Sequence, residues 1–230
     1  FFFFYGECVG LTIDGCPAGL PLTVDDFVVD IERRKPGAKG TTPRKEDDIP
    51  QIKTGLFNGK TTGAPLTILF ENKNTRSADY EKLRAVPRPG HADFVASKKF
   101  GGNEDYRGSG HFSGRLTVCL VAAGVVAKKI INGVDIEAGI LEIGGEQDLE
   151  KGLKKAIDAK DSIGGIIECK VNGLPVGLGE PFFDSAESLI SHTVFAIPAV
   201  RGIEFGTGFA AARMFGSQHN DAIENKTGKT

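Results

Sequence analysis

Between Arg88 and Arg115 lie the side chains of this sequence best suited to chemistry. The stretch opens Arg88-Pro89-Gly90-His91-Ala92-Asp93 and continues through a Lys98-Lys99 pair. It closes on Tyr106-Arg107-Gly108-Ser109-Gly110-His111-Phe112-Ser113-Gly114-Arg115. An arginine offers a permanent fork of donors matched to phosphate or carboxylate. A histidine gives or takes a proton near neutral pH, and glycines let a backbone approach a ligand closely. In combination they point to proton transfer beside a bound anion. The same composition also describes a glycine-rich surface loop with solvated charges.

The charge distribution narrows the ligand. The chain of 230 residues carries a net −2, yet residues 33–115 hold 17 Lys and Arg against 9 Asp and Glu, a local +8. A basic segment in an otherwise acidic protein suits a small anionic ligand. Nucleic acid would favour a basic stripe with interleaved aromatics, and aromatics are sparse between Lys35 and Arg88. No apolar run approaches the ~20 residues of a membrane span. Phe1-Phe2-Phe3-Phe4-Tyr5 is too short and lacks the basic flank of a signal peptide, which leaves the cytoplasm as the default location. Cys8, Cys16, Cys119 and Cys169 form no CxxC pair and no zinc spacing with histidine; they read as reduced, packed thiols.

The elements that must position these residues follow from periodicity and turn chemistry. A short strand, Leu11-Thr12-Ile13, precedes turns at Asp14-Gly15, Pro17, Gly19 and Pro21. Thr23 with Asp26 starts a helix whose apolar positions are Val24, Phe27, Val28 and Ile31. Its Arg33-Arg34-Lys35 end either complements the helix dipole or, with Lys39 and Arg44, seeks phosphate. Gln51–Phe57, Asn58-Gly59 and Lys60 onward form a hairpin, followed by an apolar strand from Leu66 to Phe70. Leu116–Ile131 is apolar nearly all round and predicts a buried helix, with Gly124 allowing close packing and Arg115 at its start. A strand over 134–143, a helix over 148–159 and a strand over 163–171 come next. Ser185 caps a further helix through Phe195. The irregular alternation and frequent hairpins favour an α+β fold with antiparallel sheets, in one domain over 1–230.

Three tempting motifs do not hold. Gly55 to Thr61 resembles a P-loop but is one residue short between its glycines and sits in a hairpin. Gly108 to Gly114 is not GxGxxG and follows no strand. His192, inside a capped helix, reads as structural.

Taken in order, the motifs resemble one family. They include Ile13-Asp14-Gly15 with Pro17 and Gly19-Leu20-Pro21-Leu22, Arg33-Arg34-Lys35-Pro36-Gly37, Thr41-Thr42-Pro43-Arg44-Lys45-Glu46, and Gly59-Lys60-Thr61-Thr62-Gly63-Ala64-Pro65. Arg76-Ser77 with Asp79-Tyr80, Arg88 to Asp93, Tyr106-Arg107-Gly108, Gly177 to Pro181, Gly202 to Gly206 and Gly216-Ser217 with Asn220-Asp221 continue the series. The pattern is similar to that of chorismate synthases.

The resemblance implies a β-α-β sandwich, with helices between antiparallel sheets, usually assembled as a homotetramer. It implies a lyase of the shikimate pathway that eliminates phosphate from 5-enolpyruvylshikimate 3-phosphate to give chorismate. The cofactor is reduced FMN, with NADPH needed where the enzyme reduces its own flavin. His91 matches an active-site histidine. Arg34, Arg88, Arg115 and Arg44 match substrate-binding positions, and His111-Phe112-Ser113 stands where the family carries an Arg-Ser-Ser flavin contact. No nucleic-acid or membrane partner is implied, and no metal.

Two departures matter. The family's Gly-Glu-Ser-His-Gly is interrupted here, because Gly6-Glu7 runs directly into Cys8-Val9-Gly10. The spacing back from Ile13 predicts a break of about four residues between Glu7 and Cys8, with their Cα atoms further apart than the ~3.8 Å of a peptide bond. The family pattern also continues past Asn220-Asp221 into segments that bind FMN. The sequence is therefore expected to be incomplete at both places. A relative that binds flavin or phosphate without catalysis is the other reading.

Overall fold

In the computed structural model, residues 2–3, 6–42, 46–73 and 86–223 are described. They fall into two compact units, 1–174 and 175–230.

The first unit is built on a four-stranded antiparallel sheet in the order β1-β2-β6-β3. Its strands are β1 (Phe2–Phe3), β2 (Cys8–Ile13), β3 (Gln51–Thr54) and β6 (Leu66–Glu71). Strands β2 and β6 pair along their whole length, from Cys8↔Glu71 to Ile13↔Leu66. Val9 and Leu11 on one strand, and Leu66, Ile68 and Phe70 on the other, are buried. That alternation turns one face of the sheet towards the core. The ladder also runs on past Cys8. The Asn72 N–H donates to the Glu7 carbonyl at 2.8 Å, one register step beyond Cys8↔Glu71. The pairing stays in register through Glu7 and Cys8, where the spacing predicts a break.

The Thr23 start is as read, with a tighter opening. The Asp26 carboxylate accepts from the Thr23 N–H at 2.7 Å and from its hydroxyl at 3.2 Å. One 3₁₀ turn, Val24–Phe27, then leads into α1 (Val28–Arg34). Phe27 and Ile31 are buried, while Val24 and Val28 lie half-exposed. The hairpin forms from β4 (Leu56–Phe57) and β5 (Lys60–Thr61). Asn58 and Gly59 both take positive φ, 49° and 71°, as the type I′ turn requires. A Cβ on Gly55 would lie 2.7 Å from the Leu66 Cα, so the bend entering this hairpin admits only glycine.

Helix α2 (Asp93–Phe100) lies within the stretch rich in His and Arg, and α3 (Thr117–Ile130) follows it. On α3, Val118, Cys119, Ala122, Val125 and Val126 are buried against β2, β6 and α1. The rest of α3 is only partly covered, and a Cβ at Gly124 would meet nothing within 4 Å. Gly124 thus opens a groove between α1, α3 and the next strand instead of allowing close packing. That strand is β7 (Asp135–Ile143), paired antiparallel with β8 (Gly165–Asn172). It is tied to α1 where an Arg33 guanidinium N–H donates to the Ala138 carbonyl at 2.7 Å. Helix α4 (Leu149–Ala159) packs on β7, capped by the Asp148 carboxylate, which accepts from the Lys151 N–H at 3.1 Å. Helices and antiparallel sheets occur together in this unit, as expected for the α+β reading.

The second unit contains α5 (Ala186–Val194), capped by Ser185, and the short α6 (Gly216–His219). None of its described residues is fully buried. Phe182 and Phe183 are each 90% exposed. No helix among the described residues is long and apolar enough to cross a membrane.

Candidate functional site

The candidate residues sort into two clusters in the first unit, joined by the short segment 107–116. The first centres on Arg88. Its Nε and one terminal nitrogen grip the two oxygens of Asp93, each at 2.8 Å, and its backbone N–H donates to the same carboxylate at 3.1 Å. The other bond of that terminal nitrogen reaches the Ser109 hydroxyl at 2.7 Å. This bidentate grip holds the Asp93 carboxyl below its usual range, chiefly through the hydrogen bonds from the Arg88 side chain. Asp93 sits in the first turn of α2, where its charge also suits the helix dipole.

Ser109 adopts φ of +70° and Gly110 +50°. A Cβ on Gly110 would fall 2.4 Å from the Asp105 carbonyl. The segment can pass under Arg88 only with glycine there. Beyond it, the His111 ring meets Phe100 edge-on at 4.8 Å and lies 4.5 Å from Phe112. Arg88, Ser109, His111 and Phe112 line a cavity of about 210 Å³. Glu104 lines it too, and its Oε2 is buried without a hydrogen-bond partner among the described residues. Such an oxygen calls for a donor. Arg107 faces its own partner, Asp105, through bonds of 2.8 and 2.7 Å.

His91 is exposed and borders Arg88 without lining the cavity. Its Nδ1 stands 3.1 Å from the Pro89 carbonyl. A carbonyl can only accept, so Nδ1 carries the proton and Nε2 holds the lone pair of the neutral ring.

The second cluster centres on Asp48. Arg34 from α1 reaches one carboxylate oxygen at 3.1 Å, and Arg115, just before α3, takes the other. The Asp48 side chain is 1% exposed. Each guanidinium is held on its remaining sides. Arg34 Nε donates to the Thr117 hydroxyl at 3.0 Å and Arg115 Nε to the Asn72 amide oxygen at 3.0 Å. Burial pushes the Arg34 guanidinium down from its usual value, and Asp48 offsets part of that. Ser113 does not line the cavity; its hydroxyl accepts the Arg115 N–H at 3.3 Å and caps the turn into α3.

The structure thus brings Arg34 and Arg115 together across 81 positions and places Arg88 in a separate cluster. Arg44 lies outside the described residues. Within the basic triplet, Arg33 reaches Ala138, Arg34 reaches Asp48 and Lys35 reaches Glu32. Of the four thiols, Cys16 and Cys119 are buried, Cys8 is half-buried and Cys169 exposed; the packed reading holds for two. Burial pushes the Cys119 thiol up to about 12, which leaves it protonated and unreactive. Sequence reasoning missed Asp48, Ser109 and Asn72. Asp48 has no local signal, because its partners lie 14 and 67 positions away.

Residues 4–230 match the family model described as chorismate synthase. The chorismate synthase of Chitinophaga pinensis is 68% identical over 227 residues, which cover 98% of this chain and 68% of that protein. That of Dehalococcoides mccartyi is 44% identical over 247 residues, covering 94% of this chain and 68% of its own. A solved structure described as the crystal structure of chorismate synthase superposes with a TM-score of 0.74 at 27% identity, covering 99% of this chain and 75% of that one.

Proposed function

Because the chain belongs to the chorismate synthase family, we propose that it eliminates phosphate from 5-enolpyruvylshikimate 3-phosphate to give chorismate, with reduced FMN as cofactor. The observation that carries the site assignment is the cavity in which Arg88, Ser109 and His111 meet. Arg88, with Arg44, holds the substrate's anionic groups. Arg34 and Arg115 add the surplus positive charge of two guanidinium groups against one carboxylate. His91 moves a proton through Nε2. The aromatic pair His111 and Phe112 offers a surface for a planar ring. The cavity's 210 Å³ is below the ~300–1,000 Å³ of complete ligand pockets, so these residues fit one side of a flavin. The chemistry a reduced flavin supplies is electron density for the departure of phosphate.

Anaerobic incubation with substrate and reduced FMN, followed by chromatography for chorismate, tests the activity. Formation of chorismate, reduced on the order of 10²–10⁴-fold in His91→Ala, is the expected result. A second reading rests on Gly6-Glu7 running directly into Cys8-Val9-Gly10, which carries no Ser-His-Gly segment. On that reading the chain binds flavin or phosphate without catalysis, and the incubation yields bound flavin but no chorismate.

Assembly as a homotetramer, in the cytoplasm and as one family domain, belongs to the same proposal, as does NADPH where the flavin is reduced by the protein itself. The exposed apolar residues of β7 and β8, with Ile140 at 53% and Ile167 at 71%, support assembly. Light scattering that finds a monomer at micromolar concentration would count against it.

A further inference from the structure

We infer that Asp48 is a positioning residue for the Arg88–His111 cavity, acting through Arg115, Arg34 and the turn that leads into α3. This rests on the proposed activity for its functional meaning, but not for its geometry.

Asp48 is a non-glycine residue at φ +51°, a conformation that costs energy and persists only where the surroundings enforce it. What enforces it is a pair of cations. Its two oxygens each take a guanidinium, from α1 and from the residue before α3, in a place that solvent barely reaches. Two arginines this close repel, and the Arg115 charge opposes that of Arg34. One carboxylate between them turns the repulsion into a clamp.

The clamp closes on backbone as well as side chains. Arg34 donates to the Gly114 and Arg115 carbonyls at 3.4 Å each, and Arg115 donates to the Glu71 carbonyl at 3.3 Å. Residues 114–115 are thereby fixed to the end of β6 and to α1. They follow, after Ser113, the 3₁₀ turn Arg107–Phe112, which carries Ser109, His111 and Phe112 into the cavity. With residue 115 anchored and Ser109 held by Arg88, the turn is tethered at both ends. Loss of Asp48 frees one of them.

The His111 ring reports on this directly, since Phe100 and Phe112 lie 4.8 and 4.5 Å from it and 6.5 Å from each other and their ring currents set its proton shifts. In Asp48→Asn, the His111 ring signals are expected to move or broaden in proton NMR, while those of His192 and His219 stay. Thr117→Val, which removes the acceptor of Arg34 Nε and the hydroxyl's own bond to the Gly114 carbonyl at 2.7 Å, gives a smaller displacement of the same signals. It also carries the test if Asp48→Asn does not fold. Unmoved His111 signals in a folded variant of either kind overturn the inference, whatever happens to the melting temperature. With active protein, Asp48→Asn should also raise the substrate KM at least tenfold, and its effect should be non-additive with that of Arg88→Ala. Strict additivity overturns the inference. Failure of the wild type to make chorismate removes the proposed function alone, because the His111 signals need no substrate.

Discussion

Two arginine–aspartate clusters sit at the two ends of one ten-residue segment, and they are built differently. Around Asp48, one carboxylate serves two guanidinium groups at side-chain exposures of 1, 8 and 19%, beside the hydrophobic core. Around Arg88, one guanidinium serves one carboxylate and a hydroxyl at 26 and 19%, between a two-turn helix and a glycine-dependent turn. Buried charge is expensive to separate from its partner, whereas charge at a cavity wall is cheap to re-pair with a ligand. On the proposed function, the first cluster therefore serves stability and position, and the second binding.

Asp48→Ala should break that comparison hardest. It leaves two guanidinium groups without their counter-charge, and a loss of about 3–5 kcal/mol is expected in urea denaturation. A change below ~1 kcal/mol would make the cluster a surface-like pair. Gly110→Ala comes next. Its positive φ and the 2.4 Å approach to the Asp105 carbonyl force the turn to move, at on the order of 2–3 kcal/mol. The cavity should then lose ligand binding along with that stability.

The Arg88–Asp93 pair sharpens the contrast through pH. The carboxyl of Asp93 has a native value lowered below its unfolded one of about 3.9. Its contribution is therefore complete well above pH 4. It is lost as pH falls from about 4 towards the lower native value. In Asp93→Asn, the acid limb of the melting-temperature profile should flatten in that window and nowhere above pH 6. The smallest effect belongs to Asp47, next to Asp48 in sequence. Its ion pair with Lys73 at 2.9 Å is open to solvent, so Lys73→Ala should leave the denaturation midpoint unchanged.

That neighbouring pair also shows where the sequence stops speaking. Asp47 and Asp48 look alike in the chain, and only long-range partners make one a buried clamp and the other a solvated surface group. Local signals fared better. The Thr23–Asp26 start, the Asn58-Gly59 turn, the Ser185 cap and the apolar strand Leu66–Phe70 all act over a few residues, and all form. Helix α2 was not legible, since Ala96 is its sole buried residue and Phe94 and Val95 face solvent, leaving no apolar stripe. At Gly124 the stripe misled: apolar residues nearly all round α3 imply full burial, but the groove beside β7 remains open. For the site, ordered motifs identified the family and singled out Arg88, His91 and His111 as candidates, whereas the separation of Arg34 and Arg115 from Arg88 is a property of the fold.

The division of labour is tested most directly by calorimetric titration of Arg88→Ala with 5-enolpyruvylshikimate 3-phosphate in the presence of FMN, beside its urea midpoint. Charge-assisted contacts to phosphate contribute roughly 1.5–3 kcal/mol, so substrate affinity should fall at least tenfold while the stability changes by no more than about 1 kcal/mol. Wild-type affinity in Arg88→Ala would contradict the account, and would return Arg88 to the role of a structural partner for Asp93.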